Sequence, residues 1–473
     1  MGALHGLPQK VGQLLALGEL ERGDAVFSAL TEGGEALPPA QAAHALEATL
    51  GRPIDTVFQA LELEAVPASL GQVHRGTLWD GRRVAVKLQY PGIADAVKVD
   101  LGALGLLGRA FQRGYDLRAY RATVGEMIHR ELDYRLEAQA LSHFGALVSD
   151  DPRFRTPTLV PELSNERLLV MTWLDGVGLD AARAWPAEAR ADVARALIRL
   201  FLRSVLEWGV VHADLHAGNV RLERTATGVR LGLLDFGCVQ SLDAPVAGGL
   251  RLLLEGVTTA PHAPPEHWLA RWEAVGFSRA LLTPVQDELG AVSRLLLEPL
   301  LSDAPFDATR WELNARFKAL LGERRFAFRF AAPASFLFVT RAFVTLVQTL
   351  KALDAPVAWR PVLAEVAGRS TLAPPPSLRL SHAAREEPPA VKPLARHLRI
   401  RVSKPDGTRI ELTFGAEATP HLPGLVPPEV LPRLAARRLD VDAITAAALA
   451  RRCAPGPLFD LQEPEREMRV WLE

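Results

Sequence analysis

Between His212 and Asn219 the sequence HADLHAGN sets two histidines, an aspartate and an amide within eight positions. Two chemistries compete for them. His212 and His216 have the spacing of a helical zinc pair, but Ala213 stands where that motif carries its glutamate. A strand end running into a loop also gives the two rings no shared helical face. The other chemistry uses oxygen. Asp214 can orient a hydroxyl or water and accept its proton. Asn219 and, further along, Asp235 of Asp235-Phe236-Gly237 are the oxygen donors that a hard Mg2+ ion takes. Lys87, closing the run VAVK, offers a compact ammonium for phosphate. Lysine is scarce, at Lys10, Lys87, Lys98, Lys318, Lys351, Lys392 and Lys404 only, so a lysine here marks a place where a guanidinium would not fit.

An aspartate, an asparagine five positions later and an Asp-Phe-Gly after a hairpin form the layout of a kinase catalytic centre. Each piece alone is weak, because DFG recurs by chance and a strand-end lysine is usually solvated. All of them, in order and on matching elements, carry the reading. The segment ELDYRLEA supplies Glu131, Asp133 and Glu137 as carboxylates for Lys87, with Asp133 and Glu137 one helical turn apart.

The elements that must position these residues can be read from periodicity. Residues 8–65 read as helical. GQVHRGTLW and RRVAVKLQY read as strands joined by Asp80-Gly81, a pair suited to a type I′ turn. Val84, Val86 and Leu88 share one face of the second strand, while Lys87 projects from the other with Ala85. Residues 94–148 read as helices, ERLLVMTWL as a strand, and NVRLERTATGVRLGLLDFG as a hairpin within a mostly helical stretch from 186 to 367. A Pro-rich linker and a small tail with a hairpin at Asp406-Gly407 and a closing strand, REMRVWLE, complete the chain. This divides it into an N-terminal helical extension (1–60), a smaller lobe with helical insertions (61–175), a mostly helical lobe (176–370), a linker (371–395) and an α+β module (396–473).

A net charge of −1 gives no electrostatic reason to expect a nucleic-acid partner. Two cysteines, Cys238 and Cys453, suit a reducing compartment. The N-terminus has neither the basic nor the apolar region of a signal peptide. FLFVTRAFVTLVQTL, interrupted by Arg341, reads as a buried helix rather than a span. The expectation is a cytoplasmic protein with no integral membrane segment.

Six stretches together give a resemblance: KVGQ (from Lys10), ASLGQVHRG (from Ala68), VAVKLQYPG (from Val84), ELDYRLEA (from Glu131), HADLHAGN (from His212) and LLDFGCV (from Leu233). The chain resembles the UbiB (AarF-type) family of atypical protein-kinase-like proteins over about residues 8–370. The resemblance implies an α+β, two-lobed protein-kinase-like fold that binds ATP and Mg2+, with ATPase or phosphotransferase behaviour. It also implies a link to coenzyme Q and other isoprenoid-lipid metabolism, with peripheral membrane contact. Lys10 and Gln13 would belong to an extension folded over the cleft, faced by Glu131 and Asp133, and Glu137 would pair with Lys87. Asp214, Lys87 and Glu137 would form the catalytic set, and Asn219 and Asp235 the metal ligands. The nucleotide would lie against Lys87, Ala68, Ser69, Gly71, Val73, Ala85, Met171 and Trp173.

Departures from the family pattern concentrate around the phosphates. Val66 and Pro67 replace part of an alanine run, where conventional kinases have a glycine-rich loop, and proline removes an N–H donor. Leu215 and Ala217 stand in place of prolines, and Thr172 in place of an acidic hinge residue. The upstream helices and C-terminal anchors of some relatives are not in the sequence, and the tail is not a family feature. Two other functions compete: a nucleotide-binding pseudokinase acting as switch or scaffold, and a small-molecule phosphotransferase of the aminoglycoside or choline kinase type. KVGQ and ASLGQVH argue against the second.

Overall fold

Alternation builds the first sheet of the computed structural model, which describes residues 36–68, 70–93, 130–226 and 228–369, and in the tail 394–403, 409–422, 434, 437, 439–463 and 466–473. Lys10, Gln13, Ser69 and the helical stretches expected over 8–35 and 94–129 lie outside these residues.

A helix, α1 (Pro39–Leu50), opens with proline at its first position, where the missing N–H costs nothing, and stops at Gly51 with φ 69°. Strands β1 (Phe58–Leu61), β2 (Val66–Pro67), β3 (Gly71–Leu78) and β4 (Arg83–Gln89) follow, then α2 (Tyr134–Val148), β5 (Phe154–Arg155) and β6 (Leu168–Thr172). The antiparallel sheet runs β1-β3-β4-β6, with β2 on β3. Val84, Val86 and Leu88 turn to the back, where they pack with Leu46, Phe58, Leu78, Leu168 and Val170. The front face carries Lys87 and Ala85.

Two sequence expectations change here. Residues 58–61 and 66–67 are strands, not helix, because Phe58 and its neighbours complete the sheet's edge against β3. The β3–β4 turn is not type I′. Gly81 has φ 83°, but Asp80 is not among the positive-φ residues. Gly81 N–H bonds Leu78 O and Leu78 N–H bonds Arg82 O, the pattern of a three-residue loop with glycine at the left-handed position.

The second lobe is built on α3 (Ala187–Leu202), which runs into a π-helical turn at Arg203–Trp208 and ends at Gly209 with φ 61°. Strands β7 (Val210–His212), β8 (Val220–Thr225), β9 (Gly228–Leu233) and β10 (Val239–Ser241) come next; β7 pairs with β10, β8 with β9, and β5 lies parallel to β9. Helices α4 (Ala244–Thr259), α5 (Pro265–Val275), α6 (Leu289–Leu297), α7 (Phe336–Leu353) and α8 (Trp359–Arg369) complete it. Buried ions clamp α3 to its surroundings: Arg199 binds Asp151 and Glu365, and Arg203 binds Asp150 and Glu207. Each buried guanidinium is met by carboxylates, as burial of charge requires.

Among the described residues α7 is the one helix long and apolar enough to cross a membrane by length and composition. It is packed in the lobe's interior, with Leu337, Val339, Leu346, Leu350 and Leu353 buried. The two lobes form the protein-kinase-like α+β arrangement that the resemblance implies.

The tail is a second unit. Strands β11 (His397–Ser403), β12 (Arg409–Gly415), β13 (Gly456–Glu463) and β14 (Arg466–Leu472) form an antiparallel sheet in the order β12-β11-β14-β13. Leu398, Ile400, Phe459, Leu461 and Val470 on its inner face pack with Val441 and Ala448 of α9 (Val441–Ala450), whose first turn is capped by Asp440.

Candidate active site

Strand register places the first part of the site. Val73 pairs with Lys87, and Ala85 pairs with Met171, so Val73, Ala85, Lys87 and Met171 share the sheet's front face. Gly71 is required at the start of β3 because a Cβ there would lie 2.1 Å from Leu88 O. Ala68 sits at the preceding turn, its N–H bonded to Gly71 O at 2.8 Å. Trp173 lies one residue beyond β6, beside Arg75, which shares the front face with Val73. Its indole is covered by the Arg75 guanidinium at 4.4 Å, and its backbone N–H donates to Arg83 O at the strand end.

Lys87 is the centre of the charge cluster. Its ammonium donates to Glu137 Oε1 and Oε2 at 2.8 and 2.9 Å and to Asp235 Oδ2 at 3.3 Å. Burial works against the charge on Lys87, but Asp235 and Glu137 outweigh it and hold its pKa well above the ordinary lysine value. Burial pushes the Glu137 carboxyl up, while Lys87 and the Phe236 N–H draw it the other way. Glu137 thus ties the strand-borne lysine to the backbone of the Asp-Phe-Gly turn. Asp235 itself takes φ 55°, a left-handed conformation that costs a non-glycine residue free energy and clusters at functional sites.

The three carboxylates of ELDYRLEA are separated by local structure. Glu137 reaches Lys87 from inside α2. Asp133 is not on the helix but caps it, accepting from the Arg135 N–H and pairing with the Arg135 side chain. The expected one-turn pair with Glu137 is therefore corrected: the helix begins at Tyr134. Glu131 is buried, and its Cγ would lie 3.8 Å from a Cβ placed on Gly237. The extension it was expected to face lies outside the described residues.

The catalytic loop is fixed mainly through backbone groups. Asn219 Nδ2 donates to the Asp214 backbone carbonyl at 2.9 Å, and the Asn219 backbone carbonyl accepts from the Leu234 N–H at 2.9 Å. With Nδ2 so engaged, Oδ1 is the side-chain oxygen that could take a cation. His212 is buried, edge-on to Phe144 and Phe236, with Nε2 3.3 Å from Leu234 O. His216 is exposed, and its Nδ1 accepts the Gly218 N–H. The two rings serve different packing roles, as loop-fixing residues. Cys238 is buried beside them, its carbonyl accepting from the Ala213 N–H.

Sequence reasoning missed one partner. Arg341, from α7, donates through Nη2 to Asp214 Oδ1 at 2.6 Å. Burial opposes its charge, yet Asp214 outweighs that and raises its pKa. In the sequence Arg341 is only a lone arginine in an apolar run, which names no partner.

A family model described as the ABC1 atypical kinase-like domain matches residues 29–260. Over these residues the chain carries the ABC1 atypical kinase-like domain, in agreement with the UbiB-type resemblance of its motifs. Similar proteins include the atypical kinase COQ8B, mitochondrial, of Rattus norvegicus, 29% identical over 67% of this chain and 61% of that protein. Another is the atypical kinase COQ8, mitochondrial, of Saccharomyces cerevisiae, 29% identical over 50% of this chain and 48% of that one. The chain thus spans about half to three fifths of the length of these two relatives. A solved structure, the Rv3197–erythromycin complex from Mycobacterium tuberculosis, matches with TM-score 0.53 and 26% identity, covering 75% of this chain and 90% of that one.

Proposed function

We propose that this chain binds an adenine nucleoside triphosphate with Mg2+ between its lobes and transfers or hydrolyses the terminal phosphoryl group. The observation that carries this is the Lys87–Glu137–Asp235 cluster, a buried ammonium held between two carboxylates from α2 and the Asp-Phe-Gly turn. The donor set fits a hard cation: Asp235 and the Oδ1 of Asn219 are oxygen ligands on adjacent loops. Bound there, Mg2+ would neutralise phosphate charge. Lys87 steadies the phosphates, Val73, Ala85 and Met171 supply the apolar wall for the base, and Asp214 orients the attacking hydroxyl or water. Ala68, Gly71 and Ser69 belong to the loop above the phosphates in this reading, and Lys10, Gln13, Glu131 and Asp133 to the covering extension and its docking face.

Quinone or isoprenoid-lipid metabolism, with peripheral membrane contact, is the partner class that the resemblance implies and forms part of this proposal. So does a cytoplasmic location, although the two relatives above are named as mitochondrial. ATP turnover with Mg2+, compared between the wild type and Asp235→Asn, tests the reading; the variant is expected to lose at least about a hundredfold.

A second reading has an observation of its own. Arg341 already occupies Asp214 Oδ1, as in a nucleotide-binding switch that does not turn over. Tight binding with no turnover above that of the Asp235 variant would favour it.

A further inference from the structure

Tyr134 opens α2 one turn before Glu137, and the mechanism above makes no use of it. The residue is 2% exposed, and its Oη is buried with no hydrogen-bond partner. Native interiors seldom leave a hydroxyl in that condition, and such exceptions call for an explanation. The position of this one is specific. The Lys87 ammonium lies 5.2 Å from the centre of the Tyr134 ring. Lys87, Glu137, Asp235 and Glu131 all act electrostatically on the phenol, which places it within the cluster assigned to the triphosphate. The nearby donor is already engaged, since Lys87 gives its hydrogens to Glu137 and Asp235. What the cluster has in reserve is one neutral O–H with nothing to bind.

We propose that the Tyr134 hydroxyl is a nucleotide-binding group that donates to a phosphate oxygen once the nucleotide enters. The ring also keeps Lys87 flanked by an aromatic face, so the ammonium can turn towards phosphate while part of its environment stays fixed. Burial pushes the phenol's pKa well above its ordinary value, so it remains a protonated donor throughout the usable pH range. An anionic acceptor is the partner such a donor lacks, because a hydrogen bond to a charged group is stronger than one between neutral groups.

This inference rests on the nucleotide reading, and Tyr134→Phe, which removes only the oxygen, tests it separately. Calorimetric titration with ADP, with and without Mg2+, is paired with thermal unfolding of the free and nucleotide-saturated protein. The expected result is a free variant at least as stable as the wild type, since a stranded polar atom has gone. Its ADP affinity should fall roughly tenfold, about 1.4 kcal/mol, in both titrations, with a smaller nucleotide-induced rise in Tm. Equal affinities, or a loss confined to the titration with Mg2+, would overturn the phosphate contact. So would a destabilised free variant with unchanged affinity. A wild type that takes up no ADP would instead sink the nucleotide reading itself.

Discussion

Arg341 Nη2 lies 2.6 Å from Asp214 Oδ1, joining α7 to the catalytic loop across 127 positions of sequence. The side chains retain 10% and 18% of their exposure. Removing one member of such a pair strands the other. Arg341→Met is expected to cost about 1–3 kcal/mol, less than a fully enclosed pair because Asp214 keeps some water. Arg341→Lys, which retains the charge, recovers part of the loss. Urea unfolding of both variants checks this, and identical losses would assign the effect to packing.

Lys87 and Glu137 are more deeply enclosed, at 9% and 3% side-chain exposure. Lys87→Met leaves Glu137 without its cation and is expected to cost about 3–5 kcal/mol. Adding Glu137→Gln should restore part of that, giving a coupling energy of about 1–3 kcal/mol in a double-mutant cycle. Additive losses would show that the two groups do not depend on each other.

His74 gives the fold an acid-sensitive joint. Its Nδ1 lies 2.9 Å from Glu62 O, its Nε2 lies 2.8 Å from Gln72 Nε2, and Gln72 Oε1 accepts the Leu37 N–H at 2.7 Å. The chain of donors needs a neutral ring whose Nε2 accepts. Burial lowers the His74 pKa, and the bond to the Glu62 carbonyl only partly opposes it. The unfolded chain, with an ordinary histidine pKa near 6.5, therefore binds more protons than the folded one as pH falls below that value. The stabilisation is complete above about pH 6.5 and is lost on acidification towards the lowered folded pKa. Unfolding free energy measured from pH 7 to pH 5 should decline more steeply in the wild type than in His74→Asn; parallel slopes would count against this account.

Gly71 is constrained by space rather than by flexibility. A Cβ there would meet Leu88 O at 2.1 Å and Leu88 C at 2.9 Å, both backbone atoms that cannot step aside. Gly71→Ala is expected to cost about 3 kcal/mol and to lower Tm by roughly 6–12 °C. A thermal melt within a degree or two of the wild type would contradict the crowding.

Lys87, Asp214, Asn219 and Asp235 were legible because strand alternation and loop spacing fix where such residues point. The front face of β4 followed from the valines behind it. The carboxylates of ELDYRLEA were harder, since periodicity does not show that the helix starts after Asp133 and spends that side chain on its own first turn. Arg341 was out of reach for a different reason. No local pattern announces that a cation in an apolar run will meet an aspartate from another part of the chain. Trp173 was ambiguous because an aromatic beside a cleft can serve the ligand, a neighbouring arginine such as Arg75, or both.

The short turn between β2 and β3 spends the Ala68 amide hydrogen on Gly71, and Pro67 has none to give. A triphosphate tail entering beneath it would find no hydrogen on offer at those two positions and would lean instead on Lys87, two strands away.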